Sequence, residues 1–262
     1  MRLTSANINV MVKACKKASK NLIRDFGEVE KLQVSLKGPG DFVSAADKKA
    51  EKILIEELQK ARPDYAILSE EIGLIKNKSE EFKWIIDPID GTTNFLHGVP
   101  HFCISLALEK KGEIICGIIF DTIKDELFSA EKGNGSYLNN QRMRVSSRSK
   151  LEDSIIFTGG PKRGANDYNL SLEEYKRFSI ALKVPIRKMG SAALDMAYVA
   201  AGRCDGFWQR NLNYWDIATG IILIREAGGY VTDIEGNQNF LNNKTILATN
   251  SKISEEMIKL LK

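Results

Sequence analysis

Residues 84–95 read WIIDPIDGTTNF, and this stretch ties the expected architecture to the expected chemistry. Trp84, Ile85 and Ile86 form a short β-favouring apolar run that ends on Asp87. Pro88 cannot donate to a ladder and is expected to stop the strand, and Asp90-Gly91 then supplies a turn whose backbone can approach a ligand closely. Two carboxylates are thereby held at one strand end. Hard divalent cations such as Mg²⁺ take oxygen ligands and share them with substrate phosphates, which suits clustered Asp beside exposed N–H groups. If Gly91, Thr92 and Thr93 open a helix, its unpaired N–H groups face such a phosphate. The plainer reading, an ordinary Asp-Pro, Asp-Gly loop, explains these residues equally well when they are taken alone.

Further acids stand at the ends of other apolar runs. Tyr65-Ala66-Ile67-Leu68 reads as a strand that stops at Ser69-Glu70-Glu71. Asn213-Tyr214-Trp215 leads into Asp216, which opens the helical pattern Ile217, Ala218, Ile221, Ile222 and Ile224. A lone Asp there serves equally as a cap that satisfies orphan N–H groups and the macrodipole. Ser44-Ala45-Ala46-Asp47 before Ala50, Ile53, Leu54 and Leu58 likewise has the form of a capping box.

The set taken together is more specific than any member. DFVSAAD (41–47), LSEE (68–71), DPIDGTTN (87–94) and WDIATG (215–220) occur in this order, and HGVPHFCISLAL (97–108), GSAALDMAYVAAGRCDGFW (190–208) and REAGGYVTD (225–233) extend the pattern over nearly the whole chain. On these motifs the sequence resembles the inositol monophosphatase family. The resemblance implies a layered α/β/α/β/α sandwich of the α/β (α+β) class, with an antiparallel N-terminal sheet and a mixed C-terminal sheet, and a homodimer. It implies that Glu70, Asp87 and the carbonyl of Ile89 hold one Mg²⁺ and that Asp87, Asp90 and Asp216 hold a second, with a third, weaker ion at Glu70. Asp47 and Thr92 would orient the attacking water, with Asp47, Glu70 and Thr92 as the catalytic group, and Gly91 and Thr92 would bind phosphate through backbone N–H groups. Gly190, Ser191, Ala192 and Gln209, with Asp216, would face the alcohol. Lithium sensitivity and a mobile basic lid residue, Lys37, are further family expectations.

One departure bears on the substrate. The family has an acidic residue seven positions before the second-motif aspartate, where this chain has Gln209. An amide still donates and accepts, but it loses the charge-assisted bonds a carboxylate makes to sugar hydroxyls. Inositol 1-phosphate is the leading expectation for a Mg²⁺-dependent phosphatase of small polyol phosphates. Fructose 1,6-bisphosphate, 3′-phosphoadenosine 5′-phosphate and histidinol phosphate stay open as substrates of relatives. Some bacterial members also act as RNA-polymerase or ribosomal-RNA-processing partners, so an interaction role independent of catalysis stays open too.

The remaining residues bound the function. A paired-metal site roughly 3.5–4 Å across can activate water and stabilise a leaving oxygen without a Cys nucleophile or a His base. Only two histidines occur, His97 and His101, in a turn-rich loop where anchoring is the expected use. Asp195 falls in the pattern Leu194, Ala197, Tyr198, Ala201 and reads as an exposed or packing-related polar position. At 262 residues and 43% hydrophobic the chain can bury a large core. Its 38 basic and 34 acidic residues are scattered, so charge does not indicate a nucleic-acid enzyme, and the cluster Arg142–Arg148 reads as solvated loop or strand edge.

Cys15, Cys103, Cys116 and Cys204 show no CxxC pair, and three of them lie in apolar stretches, so they read as buried free thiols of a reducing compartment, the cytoplasm. The N-terminus lacks a signal peptide's apolar core, and no charge-free apolar run approaches about 18 residues, so no membrane span is expected. Two amphipathic helices are expected at about 6–26 and 46–60, then a meander from strands at 102–108, 114–121 and 126–130, closed by Gly133-Asn134-Gly135. Strands at 154–158, 186–189 and 206–208 are expected to alternate with helices at 172–182, 192–201, 216–227 and 254–261. The chain thus divides into 1–145, with most metal ligands, and 146–262, with Asp216 and the substrate-side residues, packed as one unit.

Overall fold

A computed structural model describes residues 5–28, 34–38, 41–161 and 164–262, without the side chains of 34–38, 41–44 and 80. The Lys37 side chain, and the Ser44 side chain of the expected capping box, therefore lie outside the described residues.

The first layer is helical. α1 (Ala6–Phe26) starts where the Ser5 hydroxyl accepts the Ile8 N–H at 3.3 Å, and it buries Ile8, Met11, Cys15, Ala18 and Leu22 at helical spacing. α2 (Ala45–Ala61) packs beside it through Ala46, Ala50, Leu54 and Leu58. Before α2, β1 (Val34–Gly38) and β2 (Asp41–Ser44) form a separate antiparallel pair.

Both helices cover one face of an eight-stranded sheet. Its strands are β3 (Tyr65–Ser69), β4 (Gly73–Ile75), β5 (Ser79–Asp90), β6 (Cys103–Lys110), β7 (Glu113–Asp121), β8 (Glu126–Glu131), β9 (Gly135–Leu138) and β10 (Gln141–Arg142). Their order is β10-β9-β8-β7-β6-β5-β3-β4, antiparallel except at β3–β5. The period of two decides which core each residue joins. Trp84, Ile86 and Ile118 point to α1 and α2, whereas Ile85 and Ile119 point to the opposite face.

That opposite face meets α5 (Ala192–Ala200) and α6 (Tyr214–Glu226). Every residue of α6 from Ile217 to Ile224 is buried, because a second sheet covers its far side. The second sheet runs β11 (Ile156–Thr158), β12 (Gly206–Arg210), β14 (Thr245–Thr249), β13 (Tyr230–Thr232) and is mixed, with β11 and β12 parallel. α4 (Tyr168–Ala181) and α8 (Ser254–Leu261) close its outer face through Phe178, Met257 and Leu261, and α7 (Phe240–Asn243) is a short connector. The expected α/β/α/β/α layering is thus observed.

Several local expectations are corrected. Pro88 does not end its strand: Asp87 pairs with Ser105 and Asp90 with Cys103, and the residues between leave the register in a bulge. A bulge lets Pro, which has no N–H, sit inside a central strand. Residues 186–189 form only one isolated bridge, Arg187 to Phe157. The meander does not close at Gly133–Gly135 but continues through β9 and β10. Arg148 is not merely solvated, since its guanidinium lies 3.2 Å from the fully buried Asp205 carboxylate. All four cysteines are free and buried. Among the described residues no helix is long and apolar enough to cross a membrane.

Candidate active site

The β5 bulge turns two carboxylates toward one cleft. Asp87 lies at its start, buried, and accepts the Ile89 N–H at 3.1 Å. Asp90 lies at its end and accepts the Ala193 N–H at 2.7 Å together with the Ser191 hydroxyl. Ser191 also caps α5 by accepting the Leu194 N–H at 3.3 Å, so the first turn of α5 is fastened to Asp90.

Gly91 makes the next turn possible. Its φ of +93° is left-handed, and a Cβ there would stand 3.0 Å from the His101 carbonyl oxygen and 3.3 Å from that of Gly190. Only glycine adopts both the conformation and the close approach without strain. α3 (Thr92–Leu96) follows, and the Thr92 hydroxyl lies 3.2 Å from Asp47 Oδ1 and 3.0 Å from the Ile89 carbonyl. One hydroxyl carries a single proton for these two acceptors, and its lone pairs stay available to a third partner. Asp47 is in the first turn of α2 and fully buried, where this contact binds it to the site.

Glu70 and Asp216 complete the acids. Glu70 follows β3, with its N–H on the Ile86 carbonyl at 3.2 Å. Asp216 is the third residue of α6, which begins at Tyr214 rather than at Asp216, and its carboxylate accepts the Asn213 N–H at 2.7 Å. Two adjoining hollows of about 230 and 260 Å³ share Glu70, Asp90, Gly190, Gln209 and Asp216. The first adds Ala192, Gly159, Asn211 and Asn213, the second Asp87, Ile89, Gly91 and Thr92. With Asp47 reached through Thr92 and Ser191 through Asp90, the site residues expected from the sequence gather at this cleft, apart from Lys37, whose side chain lies outside the described residues.

Its electrostatics call for positive charge. Burial pushes the Asp87 carboxyl well above the usual carboxylate range, and the negative Glu70, Asp90 and Asp216 push it further. Burial also raises Asp90, against the pull of the bonds from Ser191 and Ala193. Among the described residues the acids do not close into a tight cage of three or more ligands. They line an open wall of oxygen donors, as mutually repelling carboxylates do, and oxygen-only donors fit a hard cation such as Mg²⁺.

Gln209 lines both hollows. It projects from β12 over Gly159, where an added Cβ would fall 2.1 Å from the Gln209 side chain. A larger hollow of about 410 Å³ beside α6 lies apart from the acids, and its own Glu113 and Glu226 are taken up by Lys132 and by the Gly133 and Gly135 N–H groups.

Two supporting residues were not singled out from the sequence. Glu51 of α2 is buried, and its carboxylate accepts the Ser69 hydroxyl, the Glu71 N–H at 3.0 Å and the Ile72 N–H at 3.2 Å, which holds the turn bearing Glu70. A usable signal existed, since Glu51 interrupts the inward face between Ala50 and Leu54. Asn94 donates to the His101 carbonyl at 2.7 Å and the Met189 carbonyl at 2.8 Å, clamping α3 to the segment before Gly190. His97 anchors its own loop through Nδ1 and the Thr93 carbonyl at 2.8 Å. Of the two alternatives for Asp195, exposed or packing-related, the structure shows the second: it is fully buried.

The acidic cleft beside a glycine turn in a five-layer sandwich suits a phosphoric monoester hydrolase, and comparison with known proteins identifies the chain as one. The chain belongs to the inositol monophosphatase family, whose sequence model matches residues 4–262. It is 53% identical over 253 residues to an inositol-1-monophosphatase of Rhizobium meliloti, covering 97% of this chain and 95% of that one. It is 39% identical to the Nus factor SuhB of Pseudomonas aeruginosa, over 96% and 94% of the two chains. The crystal structure of the extragenic suppressor protein suhB from Bartonella henselae superposes with a TM-score of 0.96 at 50% identity, covering 98% of this chain and 99% of that chain.

Proposed function

We propose that this phosphatase hydrolyses a small polyol phosphate, inositol 1-phosphate first among them, with two or three Mg²⁺ ions in the cleft. The observation that carries the reading is the convergence of Glu70, Asp87, Asp90 and Asp216 on the Gly91–Thr92 turn. Glu70, Asp87 and the Ile89 carbonyl would hold one ion, and Asp87, Asp90 and Asp216 another. Bound there, Mg²⁺ would supply Lewis-acid polarisation of the phosphate and lower the pKa of a bound water.

The chain's own residues orient the reactants. Backbone N–H groups of Gly91 and Thr92 receive phosphate oxygens. The Thr92 hydroxyl, held between Asp47 and Ile89, accepts a hydrogen bond from the attacking water and fixes its approach. Glu70, steadied by the turn that Glu51 binds, lies on the same wall to take up a proton. Gly190, Ser191, Ala192 and Gln209 with Asp216 receive the alcohol, and the neutral Gln209 weakens the grip on inositol hydroxyls relative to a carboxylate. In this reading the halves 1–145 and 146–262 act as one unit, with Asp216 brought to the acids of the first half. A homodimer belongs to the same reading, as does a reducing cytoplasm, which four buried, unpaired thiols support.

The test is phosphate release from inositol 1-phosphate, fructose 1,6-bisphosphate and 3′-phosphoadenosine 5′-phosphate, with Mg²⁺ or EDTA, for the wild type and Asp90→Asn. Turnover of inositol 1-phosphate that needs both Mg²⁺ and Asp90 is expected, with inhibition by Li⁺ but not Na⁺. No turnover of any of the three would overturn it. A second reading rests on the relative named Nus factor: an interaction role independent of catalysis, which predicts that Asp90→Asn still complements a deletion of the gene.

A further inference from the structure

Behind the cleft lie two polar side chains that the phosphatase reading leaves unused. Asp195 is wholly buried in α5 and His101 is 5% exposed in the segment before β6. Among the described residues both Asp195 oxygens and His101 Nε2 lack a hydrogen-bond partner, and Nε2 stands 3.6 Å from Asp195 Oδ1. Buried polar groups are almost always paired, and these two are each other's nearest available partner. The distance is just beyond a direct hydrogen bond, so a small side-chain shift joins Nε2–H to the carboxylate. The other groups facing them are accounted for. The Tyr198 ring stands edge-on to the imidazole, and Lys124 is taken up by Asp121 and the Pro100 carbonyl.

Both residues sit one step from the site. His101 lends its backbone carbonyl to Asn94, and the same oxygen crowds the Cβ position of Gly91, so a shift of the His101 backbone bears directly on the turn at Gly91. Asp195 N–H bonds to the Ser191 carbonyl at 2.9 Å, within the same helical turn whose Ser191 hydroxyl and Ala193 N–H hold Asp90. Burial raises Asp195 and the charge of Asp90 adds to it, whereas burial and the nearby Lys124 lower His101 against the opposing pull of Asp90 and Asp121.

We propose that Asp195 and His101 are positioning residues: their contact joins the start of α5 to the segment after the Gly91 turn and so fixes where the Asp90 carboxylate, held by Ser191 and Ala193, stands against that turn. The inference rests on the phosphatase reading above, because it assigns Asp90 to metal and Gly91 to phosphate. A pair that only stabilised the fold would lower melting temperature without changing metal affinity in the folded protein.

The experiment compares wild type with Asp195→Asn, Asp195→Leu, His101→Leu and the double Leu variant, by Mg²⁺ titration calorimetry on folded protein and by kcat and KM for inositol 1-phosphate. Asn keeps an acceptor for Nε2–H and is nearly isosteric, whereas Leu fills the space without an acceptor. Expected are about tenfold weaker Mg²⁺ binding and about tenfold lower kcat for each Leu variant, little change in KM, recovery in Asp195→Asn to within about twofold, and a double variant no worse than either single. Leu variants within about twofold of wild type would overturn the pairing, as would a double variant whose loss is the product of the singles. Should a Leu variant fail to fold, Asp195→Asn and His101→Gln decide: both within about twofold support the pairing, and a tenfold loss in either with unchanged melting temperature overturns it. A wild type that neither binds Mg²⁺ nor releases phosphate would instead indict the phosphatase reading itself.

Discussion

At the scale of single residues, the cleft trades stability for function. Gly91 is the clearest case, because its φ of +93° and the backbone oxygens around its missing Cβ both exclude a side chain. Gly91→Ala is expected to lower stability by about 1–2 kcal/mol from backbone strain alone, more once the His101 carbonyl must move, and to reduce activity sharply. Thermal melting and phosphate release check both. The raised carboxyls make a second prediction. Asp87 and Asp195 have folded-state pKa values above their unfolded ones, so their favourable contribution is complete below the ordinary carboxylate value and is lost as pH rises through the folded value. In EDTA the melting temperature should therefore fall as pH is raised from about 5 to about 8, and Mg²⁺ should reverse the trend by favouring the ionised acids. Glu126, pulled down by Arg203, acts in the opposite sense only at more acid pH. A melting temperature in EDTA that rises steadily across that range would count against the buried, mutually repelling arrangement. These acids were legible because motif residues stand at strand and helix ends, whereas the Asp195–His101 contact joins residues far apart in sequence and left no local signal.

At the scale of elements, β5 and α2 do the positioning. The bulge after Asp87 absorbs a proline inside a central strand and turns Asp87 and Asp90 toward one side. Sequence reading placed the acids but ended the strand at Pro88, because local rules describe proline's missing N–H and not the partner strand, β6, that resumes pairing beyond it. Likewise α2 was legible from its apolar stripe, yet the use of Glu51 depended on the turn at 69–72 folding against it. Glu51→Ala would leave the Ser69 hydroxyl and two N–H groups unpaired. The expected cost is about 3 kcal/mol, with kcat falling because Glu70 loses its support, whereas Glu51→Gln should keep part of both. Chemical denaturation beside steady-state kinetics distinguishes the two; an unchanged kcat in Glu51→Ala would show that Glu70 needs no such bracing.

At the scale of the molecule, five layers bury α5 and α6 between two sheets and leave the acids at the edge where those layers meet. The thiols report on that packing. Burial pushes Cys116 up to about 12 and raises Cys15, Cys103 and Cys204 as well, so none should react with a disulfide reagent in the native state, and all four should after denaturation. Fast labelling of the native protein would show that the core opens. Taken by itself, the sequence pointed to the residues that line the cleft and to where most helices and strands lie, because apolar periodicity and strand-end acids are local properties written within a few residues. Only the tertiary structure decided that β9 and β10 extend the sheet, that the strand of Asp87 runs through its proline, that Glu51 braces Glu70, and that Asp195 is buried against His101. Each of those depends on contacts between segments distant in sequence, whose partners become neighbours only after the layers have packed.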